Sequence, residues 1–297
     1  MKNLFRSTFQ KLRRMLCSVG FWIAILLIVI ITITSDAYTD LSGAKYSMLT
    51  ILFHFDEAAR VQNGIDVQSL FMWINATFSM YGMLFAALSY VSVLCEEQKY
   101  GVRRYLLFKE GKWIHTLSNA LASMLSSGLV FLIGTGIIIV FLYGNYPLKS
   151  KVDEWGFETW FNYRAQSAPW LYESFGEYAD SIQLLSGVFL YGIFCGFIGF
   201  ACAAFFSNMY LLTCIPFFVG YFYFSVTQSI YARVGEGNLP MEVMNMLYAY
   251  ASPECYMRYW SYRESFGVNM ALVAIIWGLA IGLHMLCLNK KADCGGV

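Results

Sequence analysis

Charge is what this sequence has least of. Asp, Glu, Lys and Arg make up 13% of its residues, against 58% hydrophobic and 18% aromatic; soluble domains carry about 25% charged residues. A soluble chain of 297 residues buries a sizeable core but must cover it with polar surface, and this one has too little. Lipid is the solvent that fits. The net charge of +1 gives no argument for a nucleic-acid partner, and none is expected.

Other absences remove whole classes of chemistry. No G-x-x-x-x-G-K-[ST] occurs, because Gly111-Lys112 is followed by Trp113, so this chain has no phosphate-binding loop. H-E-x-x-H and G-x-S-x-G are missing, and His54, His115 and His284 are far apart in sequence. His54-x-Asp56-Glu57 is a conceivable metal fragment, but a lone histidine near acids in a loop is usually solvated. No catalytic residue, metal or cofactor is expected on this chain. The eight cysteines include no C-x-x-C pair, and Cys255 alone falls in an expected outer loop. They read as small buried hydrophobes rather than a disulfide framework.

Five blocks hold no Asp, Glu, Lys or Arg: 15–35, 67–95, 113–148, 181–232 and 265–289. A bilayer core of about 30 Å needs roughly 20 apolar residues as a helix. The fourth block is about twice that length, and Ser207-Asn208 interrupts it with a turn-prone polar pair. The expectation is therefore an all-α integral membrane protein of six spans, near 19–35, 71–94, 116–143, 182–206, 209–231 and 267–288, forming a transmembrane domain over 19–297. The spans lack the intramembrane carboxylates or basic residues of ion-driven transporters.

Basic residues set the orientation. Lys2, Arg6, Lys11, Arg13 and Arg14 lead the chain without an acid, the connection after span two carries Lys99, Arg103, Arg104, Lys109 and Lys112, and the tail has Lys290 and Lys291. Segments 36–70, 149–180 and 233–264 are acidic on balance. Both termini are expected in the cytoplasm, and the protein in the cell membrane. A basic lead, an apolar run and small Ser35 and Ala37 also resemble a cleavable signal peptide, but the lead is long for one. Within residues 1–18, Phe5, Phe9, Leu12 and Leu16 share one helical face opposite Lys2, Arg6 and Arg13. That is an amphipathic helix suited to lie in the inner headgroup layer against membrane lipid.

The outer segments are long and aromatic, with short apolar runs at Met48 to Phe55 and Met241 to Tyr250 that read as interfacial helices; boundary anchoring accounts for such rings. Gly192-x-x-x-Gly196, Gly199-x-x-x-Ala203 and Gly278-x-x-x-Gly282 mark close helix packing, and Pro216 should kink span five.

The inner connection mixes both charge signs around an apolar Tyr105-Leu106-Leu107-Phe108 stretch. Such a mix suits a helix that lies across the cytoplasmic face and docks into a partner. Six spans, an amphipathic lead helix, and Glu97-x-x-x-Gly101 followed by Leu106-Leu107 resemble the permease subunits of type-2 ATP-binding-cassette (ABC) exporters. The resemblance implies that this segment is a coupling helix seated in a separate ATPase subunit, with Glu97, Gly101, Arg103, Arg104, Leu106 and Leu107 receiving the ATPase's motion. It also implies a second permease subunit as partner, with ATP and Mg bound on the ATPase. Spans two and five would line the substrate path, with Asn75, Thr77, Ser79, Ser89, Thr213, Ser225 and Thr227 as uncharged contacts. A hydrophobic or amphipathic substrate (peptide antibiotic, lipid or drug) is implied, moved outward. Family members often have a proline after the leucine pair; Phe108-Lys109-Glu110-Gly111 has none. The alternative is a non-transport membrane protein, a sensor or an assembly or immunity factor, acting through its outer loops.

Overall fold

The computed structural model describes residues 2–40, 42–99, 102–203, 206, 208–235 and 240–242, together with positions 275, 278, 279, 281, 282 and 286. Helix dominates. Helix α1 (Lys2–Leu16) is followed by α2 (Val19–Thr34), a hairpin of β1 (Asp36–Thr39) and β2 (Lys45–Ser47), and short α3 (Met48–His54) and α4 (Glu57–Gln62). Then come α5 (Val67–Leu88), α6 (Val91–Lys99), α7 (Val102–Glu110) and α8 (Lys112–Asn145). A group of α9 (Lys149–Val152), α10 (Glu154–Ser167) and α11 (Pro169–Phe175) precedes α12 (Ala179–Cys202) and α13 (Met209–Gly235).

Among the described residues, four helical runs are long and apolar enough to cross a membrane: Val67–Glu97, Lys112–Val152, Pro169–Cys202 and Met209–Val234. A fifth arises if α1 and α2, bent by 60° at Cys17-Ser18, count as one broken span. The bend has a local cause. Ser18 caps α2 by accepting from the Phe21 amide at 3.3 Å, while its hydroxyl donates to the Met15 carbonyl at 2.7 Å and closes α1. One serine thus ends one helix and starts the next.

Boundaries differ from expectation where caps rather than hydropathy decide them. Span four ends at Cys202 instead of 206, and Asn208 accepts from the Tyr210 amide at 2.9 Å to start α13; Ser207 lies outside the described residues. Span two starts earlier, at an Asp66–Ser69 capping box, and breaks at Ser89-Tyr90, where α5 gives way to α6. The expected sixth span lies outside the described residues except for the six positions named above. Those six are helical, and Ile281 packs against Ala120, Met124, Phe197 and Phe200.

Helices α8 and α12 form the centre of the bundle. Gly192 lies where a Cβ would meet Phe131 at 2.8 Å and the Ser127 carbonyl at 3.0 Å, and a Cβ on Gly196 would meet Ser127 Oγ at 2.5 Å. The small residues let the two backbones approach, as expected. A Cβ on Gly199 would run into the Tyr90 hydroxyl, whereas one on Gly278 or Gly282 would meet nothing within 4 Å among the described residues, so among those residues close packing is seen at the first two motifs. Phe78, Phe131 and Tyr191 interlock edge to face at 4.9 and 5.7 Å, and the Tyr191 hydroxyl donates to the Phe78 carbonyl at 3.0 Å. Among the described cysteines, Cys17, Cys95, Cys195, Cys202 and Cys214 are free thiols; Cys195 is buried, but Cys17 and Cys214 are exposed, unlike the expected buried set.

The outward surface is apolar. Trp22, Leu26 and Ile30 on α2, Ile137 and Val140 on α8, and Phe218 and Phe222 on α13 are all exposed. An apolar surface of that extent belongs in lipid rather than in water.

Candidate functional site

The two ends of the bundle differ in chemistry. At 34 residues α8 is about 51 Å long, well beyond a hydrocarbon core of about 30 Å. Helices α1 and α7 pack against its first turns.

Helix α1 has three faces. Phe5 and Phe9 are exposed on one side and Arg6 and Arg13 on another, the amphipathic pattern expected from sequence. The third face was not anticipated. Ser7, Thr8, Lys11 and Met15, at helical spacing, are buried against α8. The Lys11 ammonium, with 5% of its side chain exposed, donates to Ser118 Oγ at 2.6 Å and to the His115 carbonyl at 3.1 Å. It also lies 3.1 Å from His115 Nδ1 and 3.5 Å from Glu110 Oε2. With the lysine charged, Nδ1 must be the acceptor, which fixes the histidine tautomer. Ser7 Oγ donates to Glu110 Oε2 at 2.8 Å. Burial pulls the Lys11 pKa below its ordinary value, and the Glu110 charge pulls it partly back.

Glu110 is the last residue of α7, so this network fastens α7 to α1 and α8 at once. Gly111 turns the chain between α7 and α8 at φ 81°, a conformation glycine adopts freely, and so ends α7 without the absent proline. Lys11, Ser7, His115 and Ser118 were not recognised as site residues in the sequence. Only the spacing of Ser7, Lys11 and Met15 signals a shared face.

The expected coupling residues divide. Glu97 is 3% exposed and pairs with Arg14 at 2.8 Å, so it faces inward and not toward an open surface. Leu106 and Leu107 are half-buried on α7. Gly101, and the side chains of Arg103 and Arg104, lie outside the described residues. The apolar groups that do face outward here are Tyr105 (63% exposed), Phe108 (91%) and Trp113 (70%). Lys109 lies over the Tyr105 ring at 5.7 Å.

The expected path residues sit on α5 and α13, which pack side by side: Gly220 meets Met83, and the Tyr81 and Phe217 rings stack at 6.3 Å. Asn75, Thr77, Ser79, Ser89 and Thr227 are buried, Thr213 is half-buried and Ser225 exposed. Most of their hydroxyls bond back to their own helix: Thr77 to Trp73, Ser79 to Asn75, Thr213 to Met209 and Thr227 to Tyr223. Ser89 also donates back to the Ala86 carbonyl at 2.7 Å, and in addition it joins α5 to α8 through Ser126 at 2.9 Å and Ser127 at 3.1 Å, a helix-packing contact. The Asn75 amide oxygen has no partner among the described residues.

At the opposite end of α8 lies the hairpin. Tyr46 packs edge-on to Phe55 at 5.2 Å, and Tyr146 donates to the Met48 carbonyl. Helix α3 occupies the predicted interfacial run, with Met48 and Ile51 buried and Phe53 exposed. Arg60 donates to the Asn145 carbonyl and covers the Tyr146 ring at 5.6 Å, and Lys149 pairs with Asp66 at 3.7 Å.

These features define a helical protein built for a membrane, with a polar latch at one end and a folded lobe at the other. Comparison with protein-family models, curated proteins and solved structures returns no match.

Proposed function

We propose that the chain is the membrane permease subunit of an ABC exporter, with six spans and both termini in the cytoplasm. In this reading it moves a hydrophobic or amphipathic substrate outward on the power of a separate ATPase subunit. It works in the cell membrane, beside a second permease subunit, and carries no catalytic residue of its own. The observation that carries the reading is α7. It is a short helix between two long apolar runs, held from behind by Lys11, Glu110 and Ser7, with Tyr105 and Phe108 turned outward at i, i+3 spacing. A helix braced on one side and apolar on the other suits transmission of force from a docked partner. The docking groups are Tyr105, Phe108 and Trp113 rather than the leucine pair, while the Glu97–Arg14 pair ties α6 to α1.

The test is co-purification of the chain with an ABC ATPase subunit from its own cells. Phe108→Asp with Tyr105→Ser should abolish the association while leaving the yield of the membrane subunit unchanged. Retained binding and full substrate-stimulated ATP hydrolysis would remove the coupling assignment. The folded lobe at the other end favours a second reading, a sensor or immunity factor that acts through its outer segments. Failure of any ATPase to co-purify with the unaltered chain would select it.

A further inference from the structure

The buried histidine of the latch has a property that the coupling reading does not use. His115 is 1% exposed, and its two ring nitrogens face different partners. Nδ1 accepts from the Lys11 ammonium at 3.1 Å, so the ring proton is on Nε2. Nε2 lies 3.2 Å from the side-chain amide of Asn119, whose oxygen has no partner elsewhere among the described residues. An N–H that faces an amide selects its oxygen, because two donors do not bond, and this assigns the Asn119 carbonyl to the ring. Both nitrogens of the neutral imidazole are then engaged.

A second proton can add only at Nδ1. There it turns the acceptor into a donor and sets two cations 3.1 Å apart inside the protein. Glu110 Oε2, 3.7 Å from Nδ1 and 3.5 Å from the Lys11 nitrogen, is the one carboxylate within 4 Å of both among the described residues. Glu97 on α6 adds to the field at Lys11, but it pairs with Arg14 at 2.8 Å and the Arg14 charge opposes it. Arg6, Arg13, Glu96, Lys109 and Lys112 are exposed. Helices α2 and α5 carry no charged residue, and the Asp180 of α12 is in its first turn, at the far end of the bundle. One carboxylate therefore balances one cation, and a second cation is uncompensated in a buried site.

We propose that His115 makes the docking of α1 sensitive to pH: a proton gained at Nδ1 expels Lys11 and frees α1 from α8. In the freed state the imidazole titrates as an ordinary one, near about 6.5. The freed state thus holds the extra proton, so docking is at full strength above about pH 6.5 and weakens as pH falls below it. The hold of Ser7 and Lys11 on Glu110, and through it on α7, goes with α1. Only that consequence for coupling rests on the transport role proposed above.

The test is hydrogen-exchange mass spectrometry of the full chain in neutral detergent, without an ATPase, between pH 7.5 and 5.5. Each rate is divided by its intrinsic chemical rate, with α12 as the internal standard. Linkage to one proton with a pKa of about 6.5 predicts about tenfold more opening of α1 at pH 5.5 than at pH 7.5. His115→Gln keeps an acceptor for Lys11 but takes up no proton, and should show no such rise. Lys11→Met opens α1 at every pH but removes the second cation, so its acid rise should vanish as well. Exchange in α1 that ignores pH in the unaltered chain, a rise of the same size in either variant, or a parallel rise in α12 overturns the proposal. Because no ATPase takes part, that failure leaves the coupling assignment standing, and ATPase binding retained by the Phe108→Asp variant leaves this switch standing.

Discussion

Replacing Lys11 by Met should loosen α1 from the bundle without unfolding the rest. The ammonium is surrounded by Ser118 Oγ at 2.6 Å, the His115 carbonyl and Nδ1 at 3.1 Å and Glu110 at 3.5 Å. Removing one partner of a buried ion pair costs about 3–5 kcal/mol, because the other charge is left uncompensated. Glu110 keeps 16% of its side chain exposed and retains the Ser7 donor, which places the loss at the low end or below it, about 2–3 kcal/mol. At about 1.4 kcal/mol per tenfold, amide exchange in α1 should quicken by roughly 30- to 150-fold where it proceeds through local opening. Hydrogen-exchange mass spectrometry on the detergent-purified protein reads this directly, with α12 as the internal standard. Arg13→Met, on the exposed face of the same helix, is the control and should change exchange little. Adding Glu110→Gln to Lys11→Met removes the orphaned charge and should recover part of the loss, giving a coupling of about 1 kcal/mol or more. If Lys11→Met exchanges no faster than Arg13→Met, or if the two changes simply add, the buried latch is not what holds α1.

Gly196→Leu should collapse the α8–α12 contact, since even a Cβ would stand 2.5 Å from Ser127 Oγ and 2.9 Å from the Ser123 carbonyl. Overpacking of this kind costs about 1–3 kcal/mol, and size-exclusion chromatography should show less monodisperse protein; a normal elution profile and melting point would contradict the packing. Asp66→Asn probes the other end. Burial pushes the Asp66 carboxyl above its ordinary range, more than its amide bond from Ser69 and the nearby Lys149 charge pull it back. The folded protein therefore binds this proton more tightly than the unfolded chain, and Asp66 costs stability as pH rises from about 3.8 through its raised pKa. Asn still caps α5, so the variant should melt at or above the unaltered protein at pH 7, with the gain shrinking toward pH 4; a lower melting point at pH 7 would show that the Lys149 ion pair outweighs burial.

Helices α2, α5, α8, α12 and α13 were legible because an uncharged apolar run of about 20 residues has one outcome in lipid, where every backbone amide needs an internal partner. Their ends were less so. The break at Ser89-Tyr90 has neither Gly nor Pro to announce it, and α12 ends at Cys202, ahead of the expected 206. Short α7 was readable from its mixed charge, yet which of its residues face out was not. Sequence placed Leu106 and Leu107 in the docking role; both are half-buried, and Tyr105 and Phe108 on the same helix are the more exposed. The Lys11 and Glu97 partners were invisible for a different reason. Their bonds to Ser118 and Arg14 span 107 and 83 residues, and a lysine in a basic leader reads as solvated until the helix that buries it is in place.

What these contacts share is α8. Lys11 and Glu110 grip its first turns, Arg60 and Tyr146 tie its last turn to the hairpin lobe, and its middle meets α12 through Gly192 and Gly196. Close-packed interfaces of this sort switch between arrangements rather than deform smoothly. In the coupling role proposed above, a push delivered at α7 would reach α12 through α8, against which both are packed. Helix α13 is different. Among the described residues it is the least buried of the long apolar runs, it rests mainly on α5, and it contains Pro216, which removes a backbone bond. Its main contact is the seam with α5, where Gly220 meets Met83 and the Tyr81 and Phe217 rings stack. A cross-link between Met83 and Gly220, each changed to Cys, should block any cycle that opens this seam, and a cycle that ran on with the link in place would move the hinge elsewhere.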